Sequence, residues 1–268
     1  MPVQDAAARS VQTSLAPLAL STMTTIALIR KIKAWFIRLS LHRVFEPFAT
    51  LLLYAGYLSR LSAWAAKNTG RWAFNDFYNP KPDHKGRIKL YEFLRDQERL
   101  ADRPITYLEF GVGRGNSMRW WTAANTHPDS RFYGFDTFEG LPERYGTYAE
   151  GTFSQGGKFP DIPDARLQFV KGLFQDSLPG VLPGLDFSRQ TIVHIDGDLY
   201  TSALYPLAML YPKLKEGDFL LFDEFGVPLH EFRAYEDFTR SFRLQLEPVG
   251  AINNYLQVVF KLTKHQGN

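Results

Sequence analysis

Acidic side chains follow two apolar, strand-like runs of the sequence at the point where each run ends. TIVHI (191–195) is followed by an Asp-Gly-Asp triplet, and FLLF (219–222) is followed by an Asp-Glu pair. The four carboxylates concerned are Asp196, Asp198, Asp223 and Glu224. Because adjacent parallel strands deliver their carboxyl ends to one edge of a sheet, we expect these side chains to converge beside a shared cavity.

Converging carboxylates in a chain without cysteine favour a hard, oxygen-preferring cation such as Mg²⁺ or Mn²⁺ over zinc. Such a cation could bind a substrate oxygen and lower the pKa of its hydroxyl, and a remaining carboxylate could act as general base. The alternative is that Asp198 and Glu224 are loop carboxylates exposed to water. We interpret His194 as a packed strand residue rather than a catalyst.

A glycine-rich loop follows another apolar run, ITYLEF (105–110), and opens a helical pattern, which is the context of a nucleotide-binding loop. Its glycines are Gly111, Gly113 and Gly115. Asn116 stands where a dinucleotide-binding loop would carry its last glycine, which weakens the nicotinamide interpretation. Glu109, two residues before the first glycine, suits S-adenosylmethionine instead, because a carboxylate can meet the ammonium group of that ligand.

A further acid, Asp136, ends the run RFYGF (131–135). An acid at the end of the second strand of such a unit accepts hydrogen bonds from ribose hydroxyls. The alternative role for Asp136 is that of a turn-forming or helix-capping residue before TFEGLP.

Apolar, strand-like runs alternate with helical patterns from residue 105 onward. The alternation predicts an α/β fold: a Rossmann-like, mostly parallel sheet with helices on both faces. The predicted strands are 105–110, 131–135, 166–170, 191–195 and 219–222, and the predicted helices are 116–126, 201–214 and 229–242. At the end of the chain, 244–250 and 255–262 predict an antiparallel hairpin that closes the sheet edge. Asp83 is predicted to cap a helix through Tyr91 and Leu94.

The first 72 residues differ in charge from the rest of the 268-residue chain. They hold nine Lys or Arg and two acidic residues, whereas the remainder holds 22 basic and 26 acidic residues. The main domain therefore gives no charge argument for nucleic-acid binding. We predict a basic, partly amphipathic helical extension over 1–72, with 1–22 disordered and Met23 as an alternative start of translation, and a cofactor-binding α/β domain over 73–268.

Two uses of the extension stay open. Residues 26–60 could make peripheral contact with the inner face of a membrane, because basic residues surround an apolar helical pattern. They could equally pack on the main domain or join two copies of the chain in a homo-oligomer. The apolar stretch 47–59 is too short to span a bilayer. We expect a cytoplasmic protein.

Several long motifs resemble the macrocin O-methyltransferase (TylF-like) family of sugar O-methyltransferases. They are FYNPKPDHKGR, YLEFGVGRGNS, YGFDTFEGLPE, FVKGLFQDSLP, HIDGDLYTSALYPLAMLYPKLKEGDFLLFDEF and NNYLQVVFKL. The resemblance covers about residues 74–262. It implies a seven-stranded class I methyltransferase fold, S-adenosylmethionine and a Mg²⁺-dependent reaction on a sugar hydroxyl.

The resemblance also implies roles for individual residues. The implied cofactor-binding positions are Glu109, Gly111, Gly113, Gly115, Asn116, Asp136, Phe174 and Asp176. The implied metal ligands are Asp196, Asp223 and Glu224, and Asp198 matches the general base. Glu224 departs from the family, since relatives often carry a second aspartate there, and its longer side chain could displace the ion or miss it.

These expectations favour an O-methyltransferase that acts on a glycosylated small molecule. The competing hypothesis is an inactive methyltransferase-like scaffold that works through its basic extension. A nicotinamide-dependent oxidoreductase is a third possibility. The acceptor itself has no readable code in the sequence, although 72–78, 143–165 and the region after Glu224 are the segments expected to select it.

Overall fold

The computed structural model describes residues 25–264, which divide into two compact units, Met1–Ala55 and Gly56–Asn268. The predicted start at Met23 and the predicted disorder of 1–22 lie outside the described residues. Within the second unit the strands form one sheet in the order β1-β7-β8-β6-β5-β2-β3-β4. The strands are β1 (Phe74–Asn75), β2 (Ile105–Phe110), β3 (Arg131–Asp136), β4 (Leu167–Lys171), β5 (Gln190–Ile195), β6 (Phe219–Phe222), β7 (Gln245–Ile252) and β8 (Gln257–Lys264).

Within the second unit, helices flank the sheet on both faces, as the alternating pattern predicted. The helices of the described chain are α1 (residues 25–38), α2 (His42–Lys67), α3 (Arg87–Gln97), α4 (Asn116–Ala124), α5 (Phe174–Val181), α6 (Tyr200–Leu210) and α7 (Glu231–Ser241). Asp83 caps a short 3-10 turn, His84–Gly86, rather than α3 itself, and its carboxylate accepts a hydrogen bond from the backbone N–H of Lys85.

Strand β2 lies at the centre of the sheet, and all six of its residues are buried. Side chains alternate between the two faces of a strand. Leu108 and Phe110 therefore join the core formed with α5, α6 and α7, whereas Ile105 and Tyr107 join the core formed with α3 and α4. This three-layer packing explains why the central strands read as continuous apolar runs.

The C-terminal hairpin is antiparallel, as predicted, but its place in the sheet differs from the prediction. Strand β8 lies between β6 and β7, so the hairpin is built into the sheet instead of closing its edge. The edge is occupied by β1, a two-residue strand that pairs parallel with β7. Among the described residues the sheet thus has eight strands, one more than the seven expected. The added strand is short and lies in a Pro-interrupted segment, so no period-2 pattern announces it.

Residues just before β1 belong to the core of the second unit. Trp64 packs its ring 4.7 Å from that of Phe225 and donates a hydrogen bond to the hydroxyl of Tyr235 (3.2 Å). Trp72 lies 5.6 Å from the ring of Tyr255. The compact unit that contains these residues begins at Gly56, 17 residues before the predicted domain start at residue 73. The domain boundary at residue 73 stays a prediction.

The first unit, described by itself, consists of α1, a short turn and the first half of α2. The turn is closed by contact between the rings of Phe36 and Phe45, whose centroids are 5.4 Å apart. Many of its large apolar side chains are exposed. Among the described helices none combines the length and the apolar content needed to cross a bilayer.

We predict that Trp64→Ala lowers the free energy of unfolding by about 2–4 kcal/mol, because it removes a large side chain packed among aromatic rings. Urea unfolding followed by circular dichroism measures this effect. The matched control is Tyr54→Ala, an exposed aromatic of the first unit, for which we expect a change within about 0.5 kcal/mol. Equal unfolding midpoints for the two variants would contradict the packing of Trp64 in this unit.

Candidate active site

A cavity of about 1090 Å³ opens at the carboxyl ends of the central strands. The ends of four neighbouring strands are aligned there: Phe110 pairs with both Phe135 and Ile195, and Ile195 pairs with Phe222. The residues that follow these positions therefore leave the sheet side by side. Among those that line the cavity are Gly111, Gly113, Asn116, Asp136, Asp196, Asp198, Asp223 and Glu224. The predicted convergence of the acidic residues is confirmed.

The glycine loop packs tightly on one side and is open on the other. Gly111 has a φ of +99°, and a Cβ there would lie well inside contact distance of the backbone oxygen of Asp196. Gly113 has nothing within 4 Å of such a Cβ and lines the cavity. The loop thus needs glycine at Gly111 for packing, and at Gly113 it leaves room for a ligand.

Asp136 holds this loop in place. One carboxylate oxygen, Oδ2, accepts hydrogen bonds from the backbone N–H groups of Val112 (2.8 Å) and Gly113 (2.7 Å), and Oδ1 accepts from Phe138 (2.6 Å). Both roles considered for this residue are therefore compatible, since it organises the turn and also lines the cavity. A carboxylate has further lone pairs for a ligand hydroxyl.

Two basic side chains, Arg87 and His84, meet the acidic cluster. The guanidinium of Arg87 donates to Oδ2 of Asp223 (2.9 Å) and lies 3.3 Å from Oδ2 of Asp196. Nε2 of His84 lies 3.0 Å from the same Asp223 oxygen and 3.9 Å from Oε1 of Glu224. Both residues come from the 3-10 turn and the start of α3, so this segment closes one side of the cavity.

The surroundings of the two aspartates shift their pKa values in opposite directions: the pKa of Asp223 is lowered and that of Asp196 is raised. Burial alone would raise the pKa of Asp223, but the hydrogen bond from His84 and the charge of Arg87 lower it to about 2. The pKa of Asp196 is raised instead, first by burial and then by the negative charge of Asp223. The hydrogen bond from His84 to Asp223 in turn raises the pKa of that imidazole.

Asp198 and Glu224 lie at the cavity wall rather than at its floor. Asp198 has a φ of +61°, a left-handed conformation that is uncommon outside glycine and that accompanies functional sites. Burial and the charge of Asp223 raise the pKa of Asp198 to about 6 and that of Glu224 to about 7. Both side chains line the cavity, so the alternative of loop carboxylates directed into bulk water does not apply.

Three of the predicted cofactor residues do not line the cavity: Glu109, Gly115 and Asp176. Glu109 is 1% exposed and accepts a hydrogen bond from the hydroxyl of Tyr107 (3.3 Å). The two residues are two apart on β2, so they share the face of the sheet that α3 and α4 cover. Burial raises the pKa of Glu109 to about 8. The expected contact between Glu109 and a ligand ammonium group is therefore not available in this arrangement.

His194 belongs to the same buried layer. Its Nδ1 lies 2.8 Å from the hydroxyl of Tyr107, and its Nε2 lies 4.0 Å from Oδ1 of Asp223. Burial lowers its pKa to about 4, so the ring is neutral at pH 7. It is a packed strand residue, as we interpreted it from the sequence.

Phe174 and Asp176 lie at the start of α5, a helix that the sequence analysis did not predict. Phe174 lines the cavity and packs its ring edge-on against Phe110, with centroids 5.3 Å apart. Asp176 lies in the first turn of the same helix but away from the lining.

The carboxylate oxygens of the acidic cluster are ligand atoms that a hard cation prefers. Among the described residues, His84, Asp223 and Glu224 form one group whose ligand atoms lie within 4.8 Å of one another, and His194, Asp196 and Asp223 form another. Asp223 belongs to both groups, and its buried Oδ1 has no hydrogen-bond partner. Asp196 and Glu224 fall in different groups, and Asp223 is the residue that the two groups share.

Sequence reasoning missed Arg87 and His84. Both lie in the motif FYNPKPDHKGR, but a single arginine at a helix start has no distinguishing pattern. The predicted specificity loop 143–165 does contribute, through Tyr145, Tyr148 and Phe153. The 72–78 segment does not line the cavity, since part of it forms β1.

The chain has the fold of class I methyltransferases. It is similar to a solved structure, the calicheamicin methyltransferase CalS11, at a TM-score of 0.51 and 19% identity over 80% of this chain and 93% of that one. At this identity the similarity concerns the fold alone.

Residues 158–261 match the macrocin-O-methyltransferase (TylF) family, which confirms the resemblance indicated by the motifs. An O-methyltransferase of Streptomyces olivaceus that acts at the 4′ position of a rhamnosyl tetracenomycin is 29% identical over 161 residues, which cover 50% of this chain and 60% of the relative. Mycinamicin III 3″-O-methyltransferase of Micromonospora griseorubida is 27% identical over 158 residues, which cover 48% and 61%. The chain thus matches less than two thirds of the length of these relatives.

We predict that Gly111→Ala weakens S-adenosylmethionine binding at least about tenfold, because the added methyl group would push the loop away from Asp196. Isothermal titration calorimetry measures the affinity. The control is Gly180→Ala, which lies in α5 with nothing near the added atom and should bind as the wild type does. Unchanged affinity in Gly111→Ala would contradict the packing argument.

Proposed function

We propose that the protein is an S-adenosylmethionine-dependent O-methyltransferase that acts on a sugar hydroxyl of a glycosylated small molecule with the help of a divalent cation. The observation that carries the proposal is the shared cavity, where the glycine loop and Asp136 lie beside the acidic cluster at four aligned strand ends. The family match adds the type of reaction.

The chain offers a cofactor site along the glycine loop. The cavity-lining members of the predicted set, Gly111, Gly113, Asn116, Asp136 and Phe174, would hold S-adenosylmethionine. That molecule supplies a methyl group bound to a positively charged sulfur. Gly115 begins α4 and shapes the loop, while Glu109 acts from beneath the loop through its buried hydrogen bond with Tyr107.

Asp196, Asp223 and Glu224, the ligands implied by the family resemblance, would hold Mg²⁺ or Mn²⁺. Asp223 belongs to both groups of candidate ligand atoms, Glu224 shares one of them with His84, and Asp196 belongs to the other. A divalent cation here would orient the acceptor oxygen and favour its deprotonation.

Asp198 would take the proton of the acceptor hydroxyl. The acceptor oxygen would then bond to the methyl carbon as the carbon–sulfur bond of S-adenosylmethionine breaks, which would leave the electron pair on sulfur and release S-adenosylhomocysteine. Methyl transfer needs these three atoms nearly in line, so most of the acceleration comes from positioning. The cavity walls supply it through Arg87, the glycine loop and the 143–165 loop.

The relatives suggest the class of acceptor, since their names specify methylation on sugar-bearing natural products. Aromatic side chains at the cavity, Tyr145, Tyr148 and Phe153, offer flat apolar surfaces for the C–H face of a sugar ring. Homo-oligomerisation, a cytoplasmic location and contact of residues 26–60 with a membrane remain predictions from the sequence.

An inactive methyltransferase-like scaffold is the main competing function. A protein that only binds ligands would not require the left-handed backbone conformation of Asp198 beside a buried acidic cluster. A nicotinamide-dependent oxidoreductase is less favoured because Asn116 replaces the last glycine of the dinucleotide loop. Calorimetry distinguishes the proposed enzyme from the oxidoreductase, since the enzyme binds S-adenosylmethionine and not NAD or NADP, and turnover distinguishes it from the scaffold.

We predict that Asp198→Asn keeps cofactor affinity but lowers turnover at least about tenfold, because the proton acceptor is lost. Asparagine tolerates the left-handed backbone, so the loop should stay in place. Release of S-adenosylhomocysteine is measured with the rhamnosyl tetracenomycin or mycinamicin III as trial acceptors. Asp129→Asn, at an exposed site, is the control. Turnover equal to that of the wild type would reject the role of Asp198.

We predict that a chelator abolishes methyl transfer and that added Mg²⁺ restores it, because the cation orients the acceptor oxygen. Direct titration with Mg²⁺ should give binding heat that Asp223→Asn removes, whereas Asp129→Asn should retain it. Full activity in the chelator would contradict the metal requirement while leaving the cofactor site intact. Cofactor binding with no product from any acceptor would favour the scaffold.

A further inference from the structure

The described part of the first unit, residues 25–55, carries two apolar stripes with the same spacing. On α1 the stripe consists of Leu28, Ile29, Ile32, Trp35 and Phe36, and on α2 it consists of Val44, Phe45, Phe48, Leu51 and Leu52. In both helices the members follow the pattern i, i+1, i+4, i+7, i+8, which places them on one face of a helix. The repeated spacing indicates a surface built for contact.

Both stripes are exposed. Every member other than Phe36 exposes between 49% and 66% of its surface. The rings of Phe36 and Phe45 meet across the turn, with centroids 5.4 Å apart, so the two stripes adjoin. Contiguous apolar surface of this extent is rare on a protein that has no partner for it.

The charges on the same segment select the partner. Residues 25–55 contain five Lys or Arg and one acidic residue, Glu46. On α1 the basic residues lie beside and opposite the apolar stripe: Arg30, Lys31, Lys33 and Arg38. The guanidinium of Arg38 also lies over the ring of Trp35, 5.1 Å from its centroid. An apolar face flanked by cations is complementary to a partner that has an apolar interior and negative charges at its surface.

We propose that residues 25–55 bind the surface of a membrane rich in anionic phospholipid, with both apolar stripes in the acyl-chain boundary and the basic residues at the phosphates. A second copy of the chain is a poorer partner, because two such segments would bring ten basic residues together against two acidic ones. This binding is separate from methyl transfer and does not depend on the proposed function.

Co-sedimentation of the full chain with vesicles tests the proposal. We expect binding to vesicles of phosphatidylcholine with phosphatidylglycerol, weak binding to phosphatidylcholine alone, and loss of binding at high salt. The double variant Lys31→Gln/Lys33→Gln should lower the partition coefficient about 25-fold, since each basic residue near the surface contributes about fivefold. Ile32→Gln/Leu52→Gln should lower it at least about tenfold.

The matched control is Lys89→Gln/Lys213→Gln, which makes the same change of charge at two exposed positions of the second unit and should bind vesicles as the wild type does. Circular dichroism shows that each variant is folded. No binding to anionic vesicles, or equal binding to both vesicle types, would overturn the proposal. A doubled mass in light scattering that Ile32→Gln/Leu52→Gln abolishes, without vesicle binding, would overturn it in favour of contact between two copies.

Discussion

The site is organised by the need to compensate a buried negative charge. Asp223 is 1% exposed, and its carboxylate follows directly from a strand whose four residues are all buried. An ionised carboxylate at such a depth is stable only with a cationic partner. Arg87 provides that partner and His84 lies within hydrogen-bond distance of the same oxygen, so the segment that begins α3 is joined to the end of this strand. The neighbouring Asp196 is reached by the same guanidinium.

The glycine loop is held by a second carboxylate in a similar way. Asp136 uses two oxygens to accept three backbone N–H groups, two from the loop and one from its own turn. The loop is therefore preformed, and a ligand would meet backbone groups already ordered by the protein. The same residue reaches the cavity, which explains how one acid can serve both the structure and a ligand.

The sequence was sufficient to predict the strands and helices whose apolar residues follow a regular pattern. Strands β2 and β6 have the predicted bounds, and the acids predicted to follow strand ends do meet, because parallel pairing with aligned ends leaves them no other place. Helix α5 was missed because Pro179 and Gly180 interrupt its pattern. Pro179 has no N–H for the carbonyl of Gln175, and that carbonyl accepts a hydrogen bond from the hydroxyl of Tyr205 (3.4 Å) instead. Arg87 could not be found, since its role arises only when α3 is placed beside β5 and β6. Glu109 was assigned to the cavity, whereas the alternation of side chains along β2 sends it to the same side as Tyr107.

Strand β7 has consequences for how copies of the protein could associate. An exposed sheet edge offers unpaired backbone groups to a neighbouring chain. Here β1 covers Gly250 and Ala251, Pro248 has no N–H to donate, and the pairing with β8 is irregular on both sides of Leu246 to Pro248. Joining two molecules into one continuous sheet is therefore disfavoured along this edge, and an assembly formed here would have to use side-chain surfaces instead of backbone pairing.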